Sequence, residues 1–379
     1  MVPRLVLIGS GPAHLLLLET LSRRPAPPRE TVLVSSSPTE MTPGTLPGLL
    51  AGRYRPSKVG INLERLARAA GARFILGSVR SVDPQNRTVQ LENGEALLYN
   101  AASFATGPYP TSSDVPGTMR YAYFISVLEQ AIALVPELER VVSEVPEQTA
   151  RVVVVGDSPE ALEIAMTLRQ VLDRLAAGKG VVTLIGAAHA VWRERGVSAK
   201  LAEAALRRND ISAILGAQVM EVEDHRLRLS NGAGVAFDFL IWATGGQTPE
   251  YLIRSGLQLD REHHVIVDEH LQAVDGPGLF ISGEVTIKQD GQLKRVGVDP
   301  PEGARVICDN LLAVLDGRGP SRSYQSSRSR LTLAETGGKS AILTYGSMGL
   351  EGKWLMKLKE RADRKLMQRL SALGSGGSR

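Results

Sequence analysis

Residues 5–16 read Leu-Val-Leu-Ile-Gly-Ser-Gly-Pro-Ala-His-Leu-Leu, which is an apolar run, a glycine-rich turn and the start of a leucine-rich stretch. The apolar run predicts a buried parallel strand, and the leucines predict a helix. At such a strand-to-helix turn, backbone N–H groups of the helix N-terminus can bind a pyrophosphate. The stretch therefore predicts a dinucleotide-binding βαβ unit, with an ordinary glycine turn as the alternative.

A second strand-to-helix turn begins at Gly156, which is 147 positions after Gly9 (156 minus 9). Four valines precede it, and Asp-Ser-Pro-Glu-Ala follows it. Each unit continues through a β-rich insertion to the tripeptide Ala-Thr-Gly, at residues 105–107 and 243–245. Because two similar strand orders rarely arise from composition alone, the repetition predicts an α/β fold with tandem Rossmann-like domains.

The order of these segments predicts three structural parts. The first domain is discontinuous and consists of residues 1–120 and 245–320, the second consists of residues 121–244, and a small C-terminal unit spans residues 321–379. Residues 41–54 are rich in glycine and proline, so we expect a loop over the site with a short helix at most. We expect residues 123–145 to be mostly helical and residues 321–330 to be a polar linker.

Composition excludes several classes of protein. The chain has 379 residues with 43% apolar content, enough for two or three cores. Cys308 is its only cysteine, so one chain can hold neither a disulfide nor a paired-cysteine redox centre. The net charge of +4 is weak evidence for a nucleic-acid partner. We expect no nucleic-acid partner and no metal site.

We expect the protein to lie in the cytoplasm, either free or at the membrane surface. No uncharged apolar stretch reaches the roughly 20 residues that span a bilayer, and no signal-peptide pattern opens the chain. Residues 350–371 carry seven bases against three acids, and apolar residues recur there at i, i+4 spacing: Trp354, Leu358, Ala362, Leu366 and Leu370. Such a basic amphipathic helix lies in a membrane interface, covers its own protein or forms a dimer contact.

The first glycine turn departs from the full dinucleotide motif at two positions. Gly9 permits the tight turn and Gly11 lets the backbone approach the pyrophosphate, but His14 replaces the third glycine. His14 either contacts a phosphate or caps or fills the turn. The acid that would hold a ribose is also missing, since strand two ends at Ser35 and Ser36, whose hydroxyls can still bind a ribose.

The second glycine turn departs further. Ser158 places a Cβ where the backbone should approach the pyrophosphate, and Asp157 adds negative charge beside it; both weaken the binding of a dinucleotide. Residues 186–189 provide no acid for a ribose, whereas Arg193 or Arg195 could meet a 2′-phosphate, so NADPH is no less expected than NADH. A relic fold without a nicotinamide nucleotide is the alternative.

Taken in order, these motifs resemble the FAD-dependent pyridine nucleotide-disulfide oxidoreductase superfamily. Within it they are similar to the branch that holds type II NADH:quinone oxidoreductases and flavoprotein modules associated with selenophosphate synthesis. The resemblance rests on the opening Gly-Ser-Gly-Pro-Ala-His-Leu, the loop at residues 42–52, both Ala-Thr-Gly closures, residues 279–285 and the tail at residues 350–364. It covers nearly the whole chain.

The resemblance implies bound FAD, with NAD(P)H as the second nucleotide. It assigns the FAD site to Gly9, Ser10, Gly11, Pro12, Ala13, His14, Ser35, Ser36, Val79, Ala105, Thr106, Gly107, Gly283 and Glu284. Glu284 stands where the family has an aspartate, and a helix over residues 301–315 directs N–H groups at the flavin. The NAD(P)H site is assigned to Gly156, Ser158 and Gly245.

Three residues are candidates for catalysis on the same ground. The resemblance places Thr45 and Pro47 beside the flavin ring and Glu163 at the flavin–nicotinamide junction, where it could accept a proton. A proline-shaped surface turn is the alternative for the first two. An exposed helical glutamate is the alternative for Glu163.

The activity implied is an FAD-dependent oxidoreductase that passes electrons from NAD(P)H through flavin to a quinone-like or other small acceptor, without a cysteine relay. Two alternatives share the fold. One is a flavin-binding sensor or interaction protein with a degenerate nicotinamide site, and the other is an oxidoreductase with a different electron donor.

Overall fold

A computed structural model describes most of the chain. The described residues are 3–23, 30–42, 44–106, 115–125, 128–144, 149–175, 180–192, 196–244, 247–289, 300–325, 331–337, 339–345 and 348–375.

The elements fall into three successive groups. Residues 3–104 form β1 (Arg4–Ile8), α1 (Pro12–Ser22), β2 (Glu30–Ser35), β3 (Thr39–Met41), α2 (Leu46–Leu50), α3 (Pro56–Val59), β4 (Gly60–Asn62), α4 (Leu63–Ala69), β5 (Arg73–Leu76), β6 (Val79–Asp83), β7 (Thr88–Leu91), β8 (Ala96–Leu98) and β9 (Ala101–Phe104). Residues 118–242 form α5 (Thr118–Tyr121), β10 (Tyr123–Phe124), α6 (Leu128–Glu144), β11 (Ala150–Val155), α7 (Pro159–Leu175), β12 (Gly180–Gly186), α8 (Val197–Arg208), β13 (Ile211–Leu215), β14 (Val219–Glu223), β15 (Arg226–Leu229), β16 (Gly234–Ala236) and β17 (Phe239–Trp242). The rest forms α9 (Glu250–Ile253), β18 (Val265–Val267), β19 (Leu279–Ile281), β20 (Thr286–Lys288), α10 (Pro300–Leu315), β21 (Leu331–Glu335), β22 (Ala341–Tyr345), β23 (Met348–Gly352) and α11 (Lys353–Ser375).

Two five-stranded parallel sheets share the order of four of their strands. The fifth strand lies at the same edge in both, but it follows the other four along the chain in the first sheet and precedes them in the second. The first runs β19-β9-β1-β2-β5 and the second runs β10-β17-β11-β12-β13. Each sheet is accompanied by an antiparallel meander, β6-β7-β8 or β14-β15-β16, and the two meanders share a register shift near their first residues. The predicted tandem Rossmann-like architecture with β-rich insertions is therefore confirmed.

Continuous apolar runs explain why these strands lie at the centre of their sheets. Leu5, Val6 and Leu7 in β1 are fully buried, and Val152 to Val154 in β11 are buried almost as completely. Strands covered by helices on both faces need apolar side chains on both faces, so polar and apolar residues do not alternate along them.

The chain leaves the first sheet and returns to it. After β9 it builds all of the second sheet within residues 123–242, and β19 then pairs with β9 through Leu279, Phe280 and Ile281. The first sheet is consequently assembled from segments on both sides of the second.

Residues 123–145 differ from the expected helix at their start. Tyr123 and Phe124 form the edge strand β10, parallel to β17, and α6 begins only at Leu128. The Tyr123 ring stacks on Phe239 at 4.8 Å, which favours the strand over another helical turn. The helix α8 and the strands β21 to β23 have no counterpart in the sequence-based expectations.

The C-terminal unit is packed across both domains. Its sheet, β21-β22-β23, contacts α7 and α8, while α11 contacts α1 and α4 of the first domain. In the predicted linker, Tyr324 is buried against the first core, and residues 326–330 lie outside the described range.

The buried face of α11 differs from the predicted apolar series. Trp354, Leu358 and Ala362 are exposed, whereas Leu355, Met356, Lys359, Met367 and Leu370 are buried. The face shifts because α11 packs both on the C-terminal sheet and on α1, α3, α4 and β4 of the first domain. No helix within the described ranges is both long enough and apolar enough to cross a membrane.

Candidate active site

The first glycine turn fits tightly against the end of β9. Gly9 has a φ of +86°, and a Cβ there would lie 2.5 Å from the Cα of Thr106. The N–H of Gly11 donates to the carbonyl of Ala105 at 2.7 Å, and a Cβ on Gly11 would lie 2.7 Å from that oxygen. Both glycines are thus required by the protein itself, because Ala105 and Thr106 leave no room for a Cβ at either position.

The start of α1 leaves room for an anionic ligand. Gly11 is the N-cap residue and has no side chain that could cap the helix. Pro12 is the first helical residue, and Ala13 follows it. No side chain of the cap therefore covers the positive end of the helix, where a pyrophosphate is favoured. These residues fit the FAD that the resemblance implies.

His14 is a buried part of the turn and not a phosphate ligand. Its Nδ1 lies 2.7 Å from the carbonyl of Gly9, and its Nε2 lies 2.9 Å from the hydroxyl of Ser103. Burial lowers the pKa of His14 to about 4, so the ring is neutral at physiological pH. Of the two interpretations, the one in which His14 fills the turn agrees with these contacts.

The other residues predicted to contact FAD gather at the same edge of the sheet. Ser35 ends β2 and is buried, Ser36 is exposed beside it, and Gly77 donates its N–H to Ser35 just before Val79 opens β6. The N–H of Ser282 donates to the carbonyl of Phe104, so Gly283 and Glu284 follow at the end of β19. Glu284 is exposed.

A carboxyl that the motifs did not indicate also reaches the first turn. The Ser10 hydroxyl donates to Oε2 of Glu40, and the N–H of Met41 donates to Oε1. Burial raises the pKa of Glu40, which favours its neutral form.

The second glycine turn shares two backbone hydrogen bonds with the first. Gly156 donates its N–H to Ile185 and Ala243 donates to Val155, as Gly9 does to Val34 and Ala105 does to Ile8. The hydroxyl of Ser158 accepts the N–H of Ala161 at 3.2 Å and so caps α7.

A pocket of about 280 Å³ opens at this second turn. Its lining includes Gly156, Asp157, Ser158, Ala187, Gln218 and Thr244. Ser158 therefore narrows the approach to the helix without filling the groove, and the residues present fit a nucleotide.

Thr45 and Pro47 lie inside the protein and not on a surface turn. The Thr45 hydroxyl donates to the carbonyl of Thr42 at 2.7 Å, and Pro47 is buried in the short helix α2. Because α2 packs on α6 and α7, this loop joins the two domains. The hydroxyl of Thr45 is already engaged, so its contribution is to shape the loop.

Glu163 is buried and faces the C-terminal unit. The alternative of an exposed helical glutamate is therefore wrong. Its Oε1 accepts the N–H of Glu335 at 2.8 Å and lies 3.8 Å from Nζ of Lys359. Lys359, itself buried, donates to the carbonyl of Gly44 at 2.9 Å and lies 3.5 Å from Asp363. We call Glu163, Glu335, Lys359 and Asp363 the Lys359 cluster.

Two acids of the Lys359 cluster have a raised pKa. Burial raises the pKa of Glu163 to about 8, although Lys359 and the N–H of Glu335 oppose the shift. Burial also raises the pKa of Asp363. At neutral pH the cluster therefore holds a proton on Glu163, next to the loop that carries Thr45.

Lys359 is the site residue that sequence reasoning missed most clearly. It lies four residues after Leu355 and eight before Met367, both buried, so a search for the true inner face of α11 would have placed it inside. The predicted residues Gly107 and Gly245 lie outside the described residues, as do Arg193 and Arg195.

The sequence model of the pyridine nucleotide-disulphide oxidoreductase family matches residues 3–303. The chain belongs to this family. The family consists of FAD-dependent NAD(P)H oxidoreductases, so the predicted family, enzyme class and cofactors are confirmed at family level.

Two curated relatives match part of this chain. The ferredoxin–NAD(+) reductase component of the p-cumate 2,3-dioxygenase system of Pseudomonas putida is 30% identical over 215 residues, which are 55% of this chain and 49% of that protein. The epsilon subunit of the NADH-dependent phenylglyoxylate dehydrogenase of Aromatoleum evansii is 22% identical over 273 residues, which are 70% and 62% of the two chains. The chain thus spans about half to three fifths of the length of these relatives.

A solved structure matches nearly the whole chain. The sulfide:quinone oxidoreductase of Aquifex aeolicus aligns with a TM-score of 0.81 over 98% of this chain and 92% of that one, at 20% identity. This likeness concerns the fold alone.

Proposed function

We propose that this protein is an FAD-dependent oxidoreductase that takes electrons from a nicotinamide nucleotide and passes them to a small, quinone-like acceptor. The observation that carries the proposal is the pair of glycine turns at the carboxyl edges of two matching parallel sheets. Open α/β sheets bind nucleotides at that edge. The family and the nicotinamide-dependent relatives support a nicotinamide donor.

The proposal includes no cysteine relay. Cys308 is the only cysteine of the sequence, and it is buried in α10 with its Sγ 3.9 Å from the hydroxyl of Thr20. A single thiol cannot form a disulfide within one chain. A bound FAD would supply the hydride and electron-transfer chemistry, so without a relay the acceptor would take its electrons from the flavin directly.

A side chain of this protein is proposed to supply a proton for the reduction of the quinone. Reduction of a quinone by NADH consumes one further proton, because the hydride supplies only one of the two that a quinol carries. We place the source of this proton at the carboxyl of Glu163, which is protonated at neutral pH and lies 3.8 Å from Lys359. Lys359 joins Glu163 to the loop at Gly44.

The acceptor is proposed to be met at a membrane surface. Four large apolar side chains between residues 348 and 358 are 47–65% exposed, and we call them the apolar patch: Met348, Leu350, Trp354 and Leu358. Lys353, Lys357 and Arg361 are exposed around them. Apolar side chains bordered by bases are typical of surfaces that bind anionic lipid.

An anaerobic titration tests the proposed activity. NADH and NADPH are added in turn to the purified holoprotein, and the flavin absorbance near 450 nm is followed, before a water-soluble quinone is added. The proposal expects bleaching by at least one nucleotide and return of the band on addition of quinone. A flavin that stays oxidised with both nucleotides would instead favour another donor or a sensor. Bleaching without reoxidation by quinone would reject the quinone-like acceptor.

A further inference from the structure

We infer that Asp157 selects NADH over NADPH by supplying, from the glycine turn, the carboxylate that dinucleotide sites usually carry at the end of their second strand. The inference rests on the proposed use of a nicotinamide nucleotide. It changes two expectations drawn from the sequence, namely that NADPH is no less expected than NADH and that Asp157 weakens the binding of a dinucleotide.

The usual position holds no acid in this chain. The second strand of the unit is β12, which ends at Gly186, and Ala187, Ala188 and His189 follow it. In a dinucleotide fold the adenosine ribose lies at the end of this strand, where an acid binds its hydroxyls.

Asp157 is held at that place by the structure. Its Oδ2 accepts the N–H of Ala188 at 2.9 Å, and its backbone carbonyl accepts the N–H of Trp192 at 2.9 Å. Both donors belong to the segment that follows β12. The side chain therefore extends from the first turn of the unit to the end of the neighbouring strand.

The surroundings make room for this carboxylate. A Cβ on Gly186 would lie 2.9 Å from the Cβ of Asp157, so the glycine that ends β12 is needed for the side chain to fit. Asp157 is half-buried and lines the pocket together with Ala187, so the carboxylate borders the space open to a ligand. At the equivalent position the first unit has Ser10, which is uncharged.

The chemistry of the ligand follows from charge. A fixed carboxylate accepts hydrogen bonds from the 2′- and 3′-hydroxyls of the ribose in NADH. In NADPH the 2′-oxygen carries a phosphate, whose negative charge is repelled by the same carboxylate at short range. Asp157 is thus a specificity-determining residue of the second site.

Equilibrium binding of the oxidised nucleotides tests the inference without turnover. Dissociation constants of NAD⁺ and NADP⁺ are measured by calorimetry on the oxidised holoprotein and on its Asp157→Asn and Asp157→Ser variants. Asparagine keeps an oxygen for the N–H of Ala188 and removes the charge, while serine copies the first unit. Asp224→Asn is the matched control, because Asp224 is exposed at the far end of β14.

The wild-type protein should bind NAD⁺ at least tenfold more tightly than NADP⁺. Asp157→Asn should reduce that ratio about tenfold, Asp157→Ser should reduce it as much, and the control should leave it unchanged, with flavin content constant in all four proteins. A wild-type preference for NADP⁺, equal affinities, or a ratio that Asp157→Asn does not move would overturn the inference while leaving the proposed function intact. Binding of neither nucleotide, with no bleaching by NADH or NADPH, would reject both.

Discussion

Gly11 shows how a single position serves both the fold and the proposed cofactor. Replacing Gly11 with valine puts a side chain against the carbonyl of Ala105, 2.7 Å from where its Cβ would stand, and into the path of a pyrophosphate. We expect Gly11→Val to lose bound FAD and to lower the free energy of unfolding by about 1–3 kcal/mol, as overpacked sites do. FAD released by acid precipitation, per mole of protein, measures the first effect and urea unfolding the second.

Gly319→Ala is the matched control, because a Cβ there meets open space and its backbone has no positive φ. It should keep full flavin and ordinary stability. Full flavin in Gly11→Val would mean that the first turn does not bind the pyrophosphate.

Ser158 is a second position at which two roles can be separated. Ser158→Gly removes the Cβ at the turn, and we expect tighter NADH binding, with a tenfold gain corresponding to about 1.4 kcal/mol. Loss of the cap on Ala161 should cost only a few tenths of a kcal/mol, since glycine is a tolerated N-cap. The dissociation constant of NAD⁺ and the thermal midpoint are the measurements.

Ser158→Ala distinguishes the two effects, because alanine keeps the Cβ and loses the hydroxyl. It should lower stability by about 0.5–2 kcal/mol and leave the affinity for NAD⁺ without a gain. If glycine and alanine change the affinity equally, the Cβ does not limit the approach of the nucleotide.

At the residue scale, local patterns could be predicted and distant pairings could not. The glycines at positions 9, 11 and 156 were found because turn, strand and helix signals lie within a dozen residues. Lys359 binds a carbonyl 315 positions away, at Gly44, and only the spacing of buried residues along α11 distinguishes it from the solvated bases of that helix. His14 could be placed only once Ser103 was known to face it.

At the element scale, α7 carries a buried acid whose ionisation is linked to folding. The pKa of Glu163 is raised to about 8 in the folded protein, whereas in the unfolded chain it lies near the ordinary value of about 4.3. The folded chain therefore releases this proton at a much higher pH than the unfolded chain does. Between these values the unfolded state binds fewer protons, and stability falls as pH rises. Lys359 of α11 and Glu335 of β21 are the charged groups that face Glu163 in the Lys359 cluster.

Glu163→Gln should remove this pH dependence while keeping an oxygen for the N–H of Glu335. We expect the loss of unfolding free energy between pH 6 and pH 8.5 to be smaller in the variant by on the order of 2 kcal/mol. Urea unfolding at the two pH values gives the comparison, with Glu139→Gln, an exposed position of α6, as control. Parallel loss in the wild type and Glu163→Gln would show that Glu163 is ionised in the folded protein at pH 6.

Elements with a strong periodic signal were predicted well. The valine run predicts a strand over residues 152–155, and β11 spans Ala150–Val155. The pattern after Pro159 predicts a helix over residues 160–176, and α7 spans Pro159–Leu175. The edge strand β10 was missed because two residues carry no period, and pairing with β17 decides their conformation. The short strands β21 to β23 were missed because each has only five residues, and Gly349 interrupts the apolar pattern of the last.

At the scale of the whole molecule, the C-terminal unit combines a buried and an exposed face. Replacing Trp354 and Leu358 by serine alters the apolar patch without reaching the core, since both side chains are about half exposed. We expect the double variant to lose most of its co-sedimentation with anionic vesicles and to keep its FAD. Binding of the wild type should weaken as salt rises, because the nearby bases interact with lipid over a Debye length of about 10 Å at 0.1 M.

Deletion of residues 349–379 gives the contrasting result. It removes Lys359 and the ion pair of Arg369 with Glu19, exposes apolar surface on both domains, and should therefore lower stability and release flavin. Failure of the intact protein to bind anionic vesicles at low salt would reject the membrane contact. Loss of FAD from the double variant would show that the apolar patch supports the fold.

The return of the chain to its first sheet sets an order of events during synthesis. The outer edge of β9 pairs with β19, which the ribosome completes 177 residues after β9 (281 minus 104). At about 5–20 residues per second, the edge of β9 waits for about 10–35 seconds, long enough for residues 123–242 to form their own complete sheet first. The domain that begins the chain is thus the later of the two to be finished, and during translation its open strand edge is the site most exposed to mispairing with another nascent chain.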